Sequence, residues 1–458
     1  MEIIAKHMDY EGYIHEPNNR KLDHLPGDYG MPLLGHSIQF LRDPFEWAQH
    51  YASKYGLLSR ISTAGNRGIM ALGPDLVEQV LLDSGRNFSS KMGFMTRVST
   101  FFAGSLIMED FEHHRHQRRI AQTAFKNEAM QHYTRDINVI YQRALDEWSS
   151  DVGKNIPFFL YVKELLLQIA AEIFIGEIES RDRTKRINQS FVDCANGTIY
   201  LLPIKLPGFA LYKGLKGRDF LQQFFRNLVA EKRAGEGLDI LSHFCREKNE
   251  EGNYFSNDEI ANQMIFLMFA AHDTTTAAIT HTVYYLARHP DVKERLYQEC
   301  KSLGKDSLEY GDLEKLPYMQ RVFNEVLRLR PSAPLIPRRT IRDVIMQGYR
   351  VPAHTLVLIM PRFSHYMEEY WTEPNKFDPD RFSPERAEHK KHRFLYHPFG
   401  GGAHKCIGMH FAQMEYKCFF YKFILQYDFV AKHKSEPYMQ TLPLPRPADN
   451  MPIELIKR

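Results

Sequence analysis

The sequence predicts a mainly α-helical fold with a smaller β region, on three observations. The stretch from Ser256 to His289 is apolar and poor in charge. It is headed by a capping-box signature, Ser256-Asn-Asp-Glu259, and stopped by Pro290. At 1.5 Å per residue such a helix runs roughly 50 Å, and being apolar on nearly all sides it must be buried. A second helical run, Met409 to Tyr427, follows a glycine-rich loop. The β region is short: Leu58 to Thr63 with Gly68 to Leu72 reads as a hairpin, and Pro334 to Asp343 and Val351 to Ile359 alternate like strands.

Composition sets the outer limits. The chain has 458 residues, 43% of them hydrophobic and 13% aromatic, enough for a large core and too apolar for disorder. A net charge of +3 gives no footprint for nucleic acid. The five cysteines are far apart and form no CxxC pair, unlike a disulfide framework or a structural zinc site, and they fit a reducing compartment. No run reaches the eighteen or so apolar residues needed to span a bilayer, and Met1 to Asp23 is polar. A cytoplasmic protein without a transmembrane anchor is therefore expected. Its polar segment 1–24 would precede a single domain, 25–458.

The loop Phe399-Gly-Gly-Gly-Ala-His-Lys-Cys-Ile-Gly408 draws the chemistry together. Glycines at 400–402 permit backbone angles closed to other residues. Such a loop can present Cys406 at the N-terminus of the next helix, where free N–H groups and the helix dipole stabilise a thiolate. A lone cysteine is more often a small buried hydrophobe. The full string decides otherwise. Phe399, Gly402, His404, Cys406 and Gly408 fit Phe-x-x-Gly-x-(Arg or His)-x-Cys-x-Gly, which resembles the haem-binding loop of the cytochrome P450 superfamily.

Four further motifs follow in the order that this resemblance implies. In Glu112-His-His-Arg-His-Gln-Arg-Arg119, His114 and Arg118 share a helix face. They resemble the family's pair that bonds a haem propionate. Ala270-Ala-His-Asp-Thr-Thr275 places an acid and hydroxyls inside a buried helix, where they are costly unless paired or used. It resembles the dioxygen motif. By that resemblance Ala270 borders the haem, Thr274 hydrogen-bonds bound dioxygen and Asp273 relays protons. Ala271 departs from the usual glycine. Glu325 and Arg328 resemble the family's Glu-x-x-Arg, and Arg381 in Pro374-Asn-Lys-Phe-Asp-Pro-Asp-Arg-Phe382 would be the third, structural partner. Arg338, with Arg339 as the alternative, fits a second propionate ligand, and Phe399, Gly400 and Gly408 shape the loop. Residues 87–106 would lie over the haem, or else form a surface loop, and Gly197 to Gly217 would roof the substrate channel.

The resemblance covers residue 25 to the C-terminus. It implies a P450 fold with haem between a long central helix and the cysteine loop. The cofactor would be haem b with Cys406 as the metal ligand, and Arg118, His114, Arg338 and His404 would anchor propionates. The implied activity is monooxygenation of a lipophile such as a fatty acid, terpenoid or sterol, using O2 and electrons from a ferredoxin- or flavodoxin-type donor. Lys405, Lys417 and Lys422 with Arg115 and Arg119 could form a basic face for that donor. A soluble, bacterial-type monomer is expected. Leu211-Tyr-Lys-Gly-Leu-Lys-Gly-Arg218 resembles the sterol- and retinoid-oxidising branch. Sterol 14α-demethylases share the histidine at His404 but carry another histidine where this chain has Asp273, which argues against membership there. The rivals are a peroxide-driven peroxygenase or a non-oxidising haem or lipid carrier on the same fold.

Overall fold

The computed structural model describes residues 22–63, 65–94, 98–176, 181–198, 204–248, 252–431, 438–441 and 445–458. The predicted long helix spans Asn257–Arg288. Its capping box forms as expected: Ser256 Oγ accepts from the Glu259 N–H at 3.2 Å, and the Glu259 carboxylate accepts from the Ser256 N–H at 2.9 Å. Helices Phe158–Ile169, Ala210–Ala234, Pro317–Leu329 and Met409–Gln426 pack around it. Their apolar faces merge into one large core that includes Ile260, Met264, Ile279, Val322, Phe411 and Phe419.

A five-stranded sheet lies beside this helical body, in the order Leu58–Thr63, Asn66–Ala71, Leu356–Ile359, Ile336–Thr340, Phe88–Ser89. The first two strands are the expected hairpin, with Leu58 opposite Ala71. The pleat sorts side chains with a period of two. Ile69, Ala71, Val357 and Ile359 face one apolar layer, while Ile61, Met70, Leu356 and Leu358 face the other. Gly68 is required where its strand meets Leu356, because a Cβ there would lie 2.5 Å from the Leu356 carbonyl oxygen. The turn-rich lead-in packs on the outer strand: Arg60 N–H donates to Pro26 O at 2.7 Å.

The described residues of 87–106 are not a surface loop. They form a short strand and the helices Ser90–Phe94 and Ser99–Phe102, with Phe101 and Phe102 buried. The Phe102 ring lies 4.6 Å from that of Phe269 on the central helix. The stretch Leu211 to Arg218 is helical, and its glycines serve a helix crossing. A Cβ at Gly214 would lie 2.9 Å from the Gly197 Cα. The Leu-Leu-Pro stretch at 201–203 falls outside the described residues.

Candidate active site

The cysteine loop closes on itself: Cys406 N–H donates to Phe399 O at 2.9 Å, and Gly400 N–H donates to His397 O at 3.0 Å. Two glycines are there for conformation, with φ of +68° at Gly400 and +62° at Gly402. At Gly402 the approach is also tight, since a Cβ would lie 1.8 Å from Leu81 O. Gly408 caps the helix Met409–Gln426, and its N–H points at the Cys406 sulfur. Desolvation pushes the thiol pKa up, against the lowering by that N–H, Arg118 and Lys405, while the residue itself is solvent-exposed. The N–H and the two cations favour a thiolate, and a metal bonded to the sulfur would favour it further.

Beside the loop lies a buried to half-buried group of two arginines and two histidines. His114 and His404 stack with ring centroids 3.9 Å apart. Burial, then the neighbouring arginines 118 and 338, drives the His114 pKa down to about 4. His404 falls to about 2, first by burial and then by Arg338, His114 and Arg118. Arg338 is 6% exposed, and burial lowers even its pKa to about 10. Its hydrogen bond goes only to its neighbour's carbonyl, Pro337 O, at 2.9 Å. Among the described residues neither Arg338 nor Arg118 is ion-paired to a carboxylate. Asp83 and Asp110 both bear on Arg338, and Asp110 lies 3.8 Å from His404 Nε2. Its carboxylate is already held by Ser89 Oγ and by the Ser90 and Lys91 N–H groups. Two arginines shielded from water without an ion-paired carboxylate, beside two imidazoles, call for carboxylates from outside the chain. The two propionates of a haem fit. Arg339 does not join the set, because it donates to His354 O at 2.7 Å and to Met92 O at 3.4 Å.

The central helix supplies the opposite wall. Phe266, Phe269, Ala270, Asp273 and Thr274 recur at helical spacing and are half-buried. Thr274 Oγ1 donates to Ala270 O at 2.7 Å, so its lone pairs face outward from the helix. Ser332 Oγ donates to Thr274 O at 2.9 Å, which seats the half-buried segment 332–337 against this wall. The helix stays regular through Ala271. Burial raises the Asp273 pKa, but hydrogen bonding and charge from His272 and Lys163 win and bring it down to about 2. His272 Nδ1 lies 2.9 Å and Lys163 Nζ 3.6 Å from Asp273 Oδ1.

The third cluster is fully buried. Arg328 donates to both Glu325 carboxylate oxygens, at 2.7 and 2.8 Å, and Arg381 Nε donates to Glu325 Oε1 at 3.3 Å. The remaining guanidinium donors reach carbonyls of residues 365 and 372–376, and Arg381 also donates to Glu388 Oε2 at 3.3 Å. His365 carries the link to the cysteine loop. Its Nε2 accepts the His397 N–H at 3.2 Å, so Nδ1 holds the ring proton and donates to Arg328 O at 3.1 Å.

Sequence reasoning missed His365, His397, Asp110 and Lys163. Asp110 had a signal, an acid just before a helical run. So did Lys163, a lone cation in Phe158-Phe-Leu-Tyr-Val-Lys-Glu-Leu. The histidines had none. The basic face is also corrected. Lys417 and Lys422 are buried, donating to Leu313 O at 2.8 Å and to Asp306 O at 3.1 Å. Of that group, Lys405, Arg115 and Arg119 remain exposed.

A helical body, a cysteine loop and a long helix facing it define the haem-thiolate class. A sequence model of the cytochrome P450 family matches residues 25–451, and the chain belongs to that family. It is therefore a P450 monooxygenase, in a family whose cofactor is cysteine-ligated haem b. It is 34% identical over 448 residues to cytochrome P450 136 of Mycobacterium tuberculosis, covering 96% of this chain and 90% of that one. It is 28% identical to abscisic acid 8'-hydroxylase 1 of Arabidopsis thaliana, covering 96% and 92%. Its fold is similar to cyanobacterial CYP120A1 bound to retinoic acid, with a TM-score of 0.85, 26% identity and coverage of 95% and 99%. Among the described residues no helix is long and apolar enough to cross a membrane.

Proposed function

We propose that this P450 oxidises a lipophilic substrate of isoprenoid, sterol or fatty-acid type, drawing electrons from an external ferredoxin- or flavodoxin-type donor. The observation that carries the reading is the anion-poor cluster of Arg118, Arg338, His114 and His404 beside Cys406. Cys406 would be the metal ligand, and the propionates would be held by the cations Arg118 and Arg338 with the neutral rings of His114 and His404 as N–H donors. Bound haem supplies the oxygen-activating chemistry, with thiolate electron density favouring O–O cleavage.

The chain's own residues do the rest. Phe266 and Phe269 offer an apolar wall with no fixed charge, which favours a lipophile and excludes water. Abscisic acid and retinoic acid, printed with the relatives, are isoprenoids of that character. Thr274, its own proton committed to Ala270 O, can accept a hydrogen bond from a group in front of the helix. Asp273, anionic at neutral pH, can take up a proton and pass it on toward Thr274. The Glu325–Arg328–Arg381 network is structural and holds the cysteine loop through His365 and His397. Lys405 and the exposed residues Arg115 and Arg119 offer a basic surface for an acidic donor, so reduction should slow as salt rises.

The test is an optical titration of the ferric holoenzyme with retinoic acid, abscisic acid, sterols and fatty acids. Turnover under reductant follows for each compound that shifts the spectrum. A shift and an oxygenated product from one of these classes support the reading. A shift without product under full reduction points to a carrier, and product with hydrogen peroxide alone points to a peroxygenase.

A further inference from the structure

The known motif leaves one buried group of the central helix unexplained. His272 is buried, with Nδ1 turned to Asp273, and its Nε2 has no hydrogen-bond partner. A buried ring nitrogen left unpaired costs free energy and marks a place where something else binds. The nitrogen belongs to a residue that lines a small cavity between three helices. Lys163, Leu167 and Ala170 come from one face of the helix Phe158–Ile169 and its continuation, at i, i+4 and i+7. Phe191 comes from the helix Arg181–Gly197, and Phe269 with His272 and Asp273 from the central helix. About 10 Å³ of it is open to water, room for about one molecule.

The cavity walls are apolar except at Lys163, His272 and Asp273, and these three fix how a water would sit. The Lys163 ammonium can only donate, so it offers a hydrogen to the water oxygen. With Nδ1–H donated to Asp273, the His272 Nε2 can only accept, so it takes a hydrogen from that water. Each partner of the water is thereby one that the cavity supplies.

We propose that His272 is the residue through which protons enter the Asp273–Thr274 pair, drawn from a single water held between His272 Nε2 and the Lys163 ammonium. The water gives a proton to Nε2 and takes one back from solvent, the Nδ1 proton moves to Asp273 Oδ1, and Asp273 passes a proton on toward Thr274. Tautomer exchange then restores the starting ring. Lys163 holds the water and one edge of the Asp273 carboxylate and is not itself a donor in the sequence. The inference rests on the reading of Asp273 and Thr274 as the proton-handling pair.

The test uses the holoenzyme reduced by a plant-type ferredoxin and its reductase, with dioxygen uptake and its solvent deuterium isotope effect as readouts. Asp273→Asn and His272→Asn are compared with the unaltered chain. Asparagine keeps an amide in reach of Asp273 but has nothing at the Nε2 position, so it separates proton passage from mere positioning. The expected result is that both variants keep haem content and melting temperature while dioxygen uptake slows on the order of tenfold or more. The isotope effect should change in both. Unaltered uptake in His272→Asn with a slow Asp273→Asn overturns this inference alone. Unaltered uptake in Asp273→Asn overturns the underlying reading as well. If His272→Asn does not fold, a crystal structure of the holoenzyme decides. A water within hydrogen-bond distance of His272 Nε2 supports the inference, and a dry cavity or a protein group there overturns it.

Discussion

Two buried arginine clusters sit on either side of the cysteine loop, and they solve the same problem in opposite ways. In the Glu325–Arg328–Arg381 cluster the guanidinium donors are met within the chain, by the carboxylates of Glu325 and Glu388 and a row of backbone carbonyls. In the Arg118–Arg338–His114–His404 cluster neither arginine is ion-paired among the described residues, and the two acids that bear on Arg338, Asp110 and Asp83, are already spent on backbone N–H groups. The first cluster is the more deeply buried, and the balance of charge differs as well. A self-satisfied cluster holds a fold, whereas an anion-poor one is built for a ligand.

The sharpest way to break this contrast is to remove one partner from the satisfied cluster. Glu325→Ala leaves the buried Arg328 without its carboxylate and Arg381 with Glu388 alone, and should cost about 3–5 kcal/mol. Chemical denaturation of the haem-free chain should show that loss, or no folded chain at all. In the other cluster the sign should reverse. Arg338→Met removes a buried cation that lacks a partner, so the haem-free chain should unfold no more easily than the unaltered one. Haem should nevertheless dissociate faster, with a loss of up to about 3 kcal/mol in its binding, the scale of a charged hydrogen bond. Haem transfer to an acceptor globin measures this.

Asp273 is an intermediate case, a half-satisfied acid whose pKa is depressed from 3.8 to about 2. A depressed carboxyl stabilises the fold at pH above its unfolded value, and this contribution is lost as pH falls through the folded one. Stability should therefore drop by about 2 kcal/mol between roughly pH 4 and pH 2 on this account. Asp273→Asn should flatten that part of the profile, as read from denaturant midpoints across the range.

Much of this was legible in the chain itself. The capping box, the proline stops and the motif spacings placed the central helix, the cysteine loop and the residues of both clusters before any coordinate was known. Charge balance was not legible. Lys417 and Lys422 read as a docking face because lysine is usually exposed. The helix Met409–Gln426 is buried on almost every side, and their ammonium groups end on carbonyls of residues 313 and 306. Which carbonyls lack a donor depends on tertiary packing that no local pattern encodes. The same holds for His365, which matters only because its two ring nitrogens reach Arg328 and His397. Arg338 and Arg339 could not be told apart by spacing, yet adjacent strand residues point to opposite faces, and only one of them joins the cationic cluster.

The most direct test of the central claim is the absorption spectrum of the reduced, carbon monoxide-treated holoenzyme and of its Cys406→Ser variant. The account predicts the strongly red-shifted Soret band of thiolate-bound haem in the first and its loss in the second, with the fold retained. The same band surviving in Cys406→Ser would contradict it.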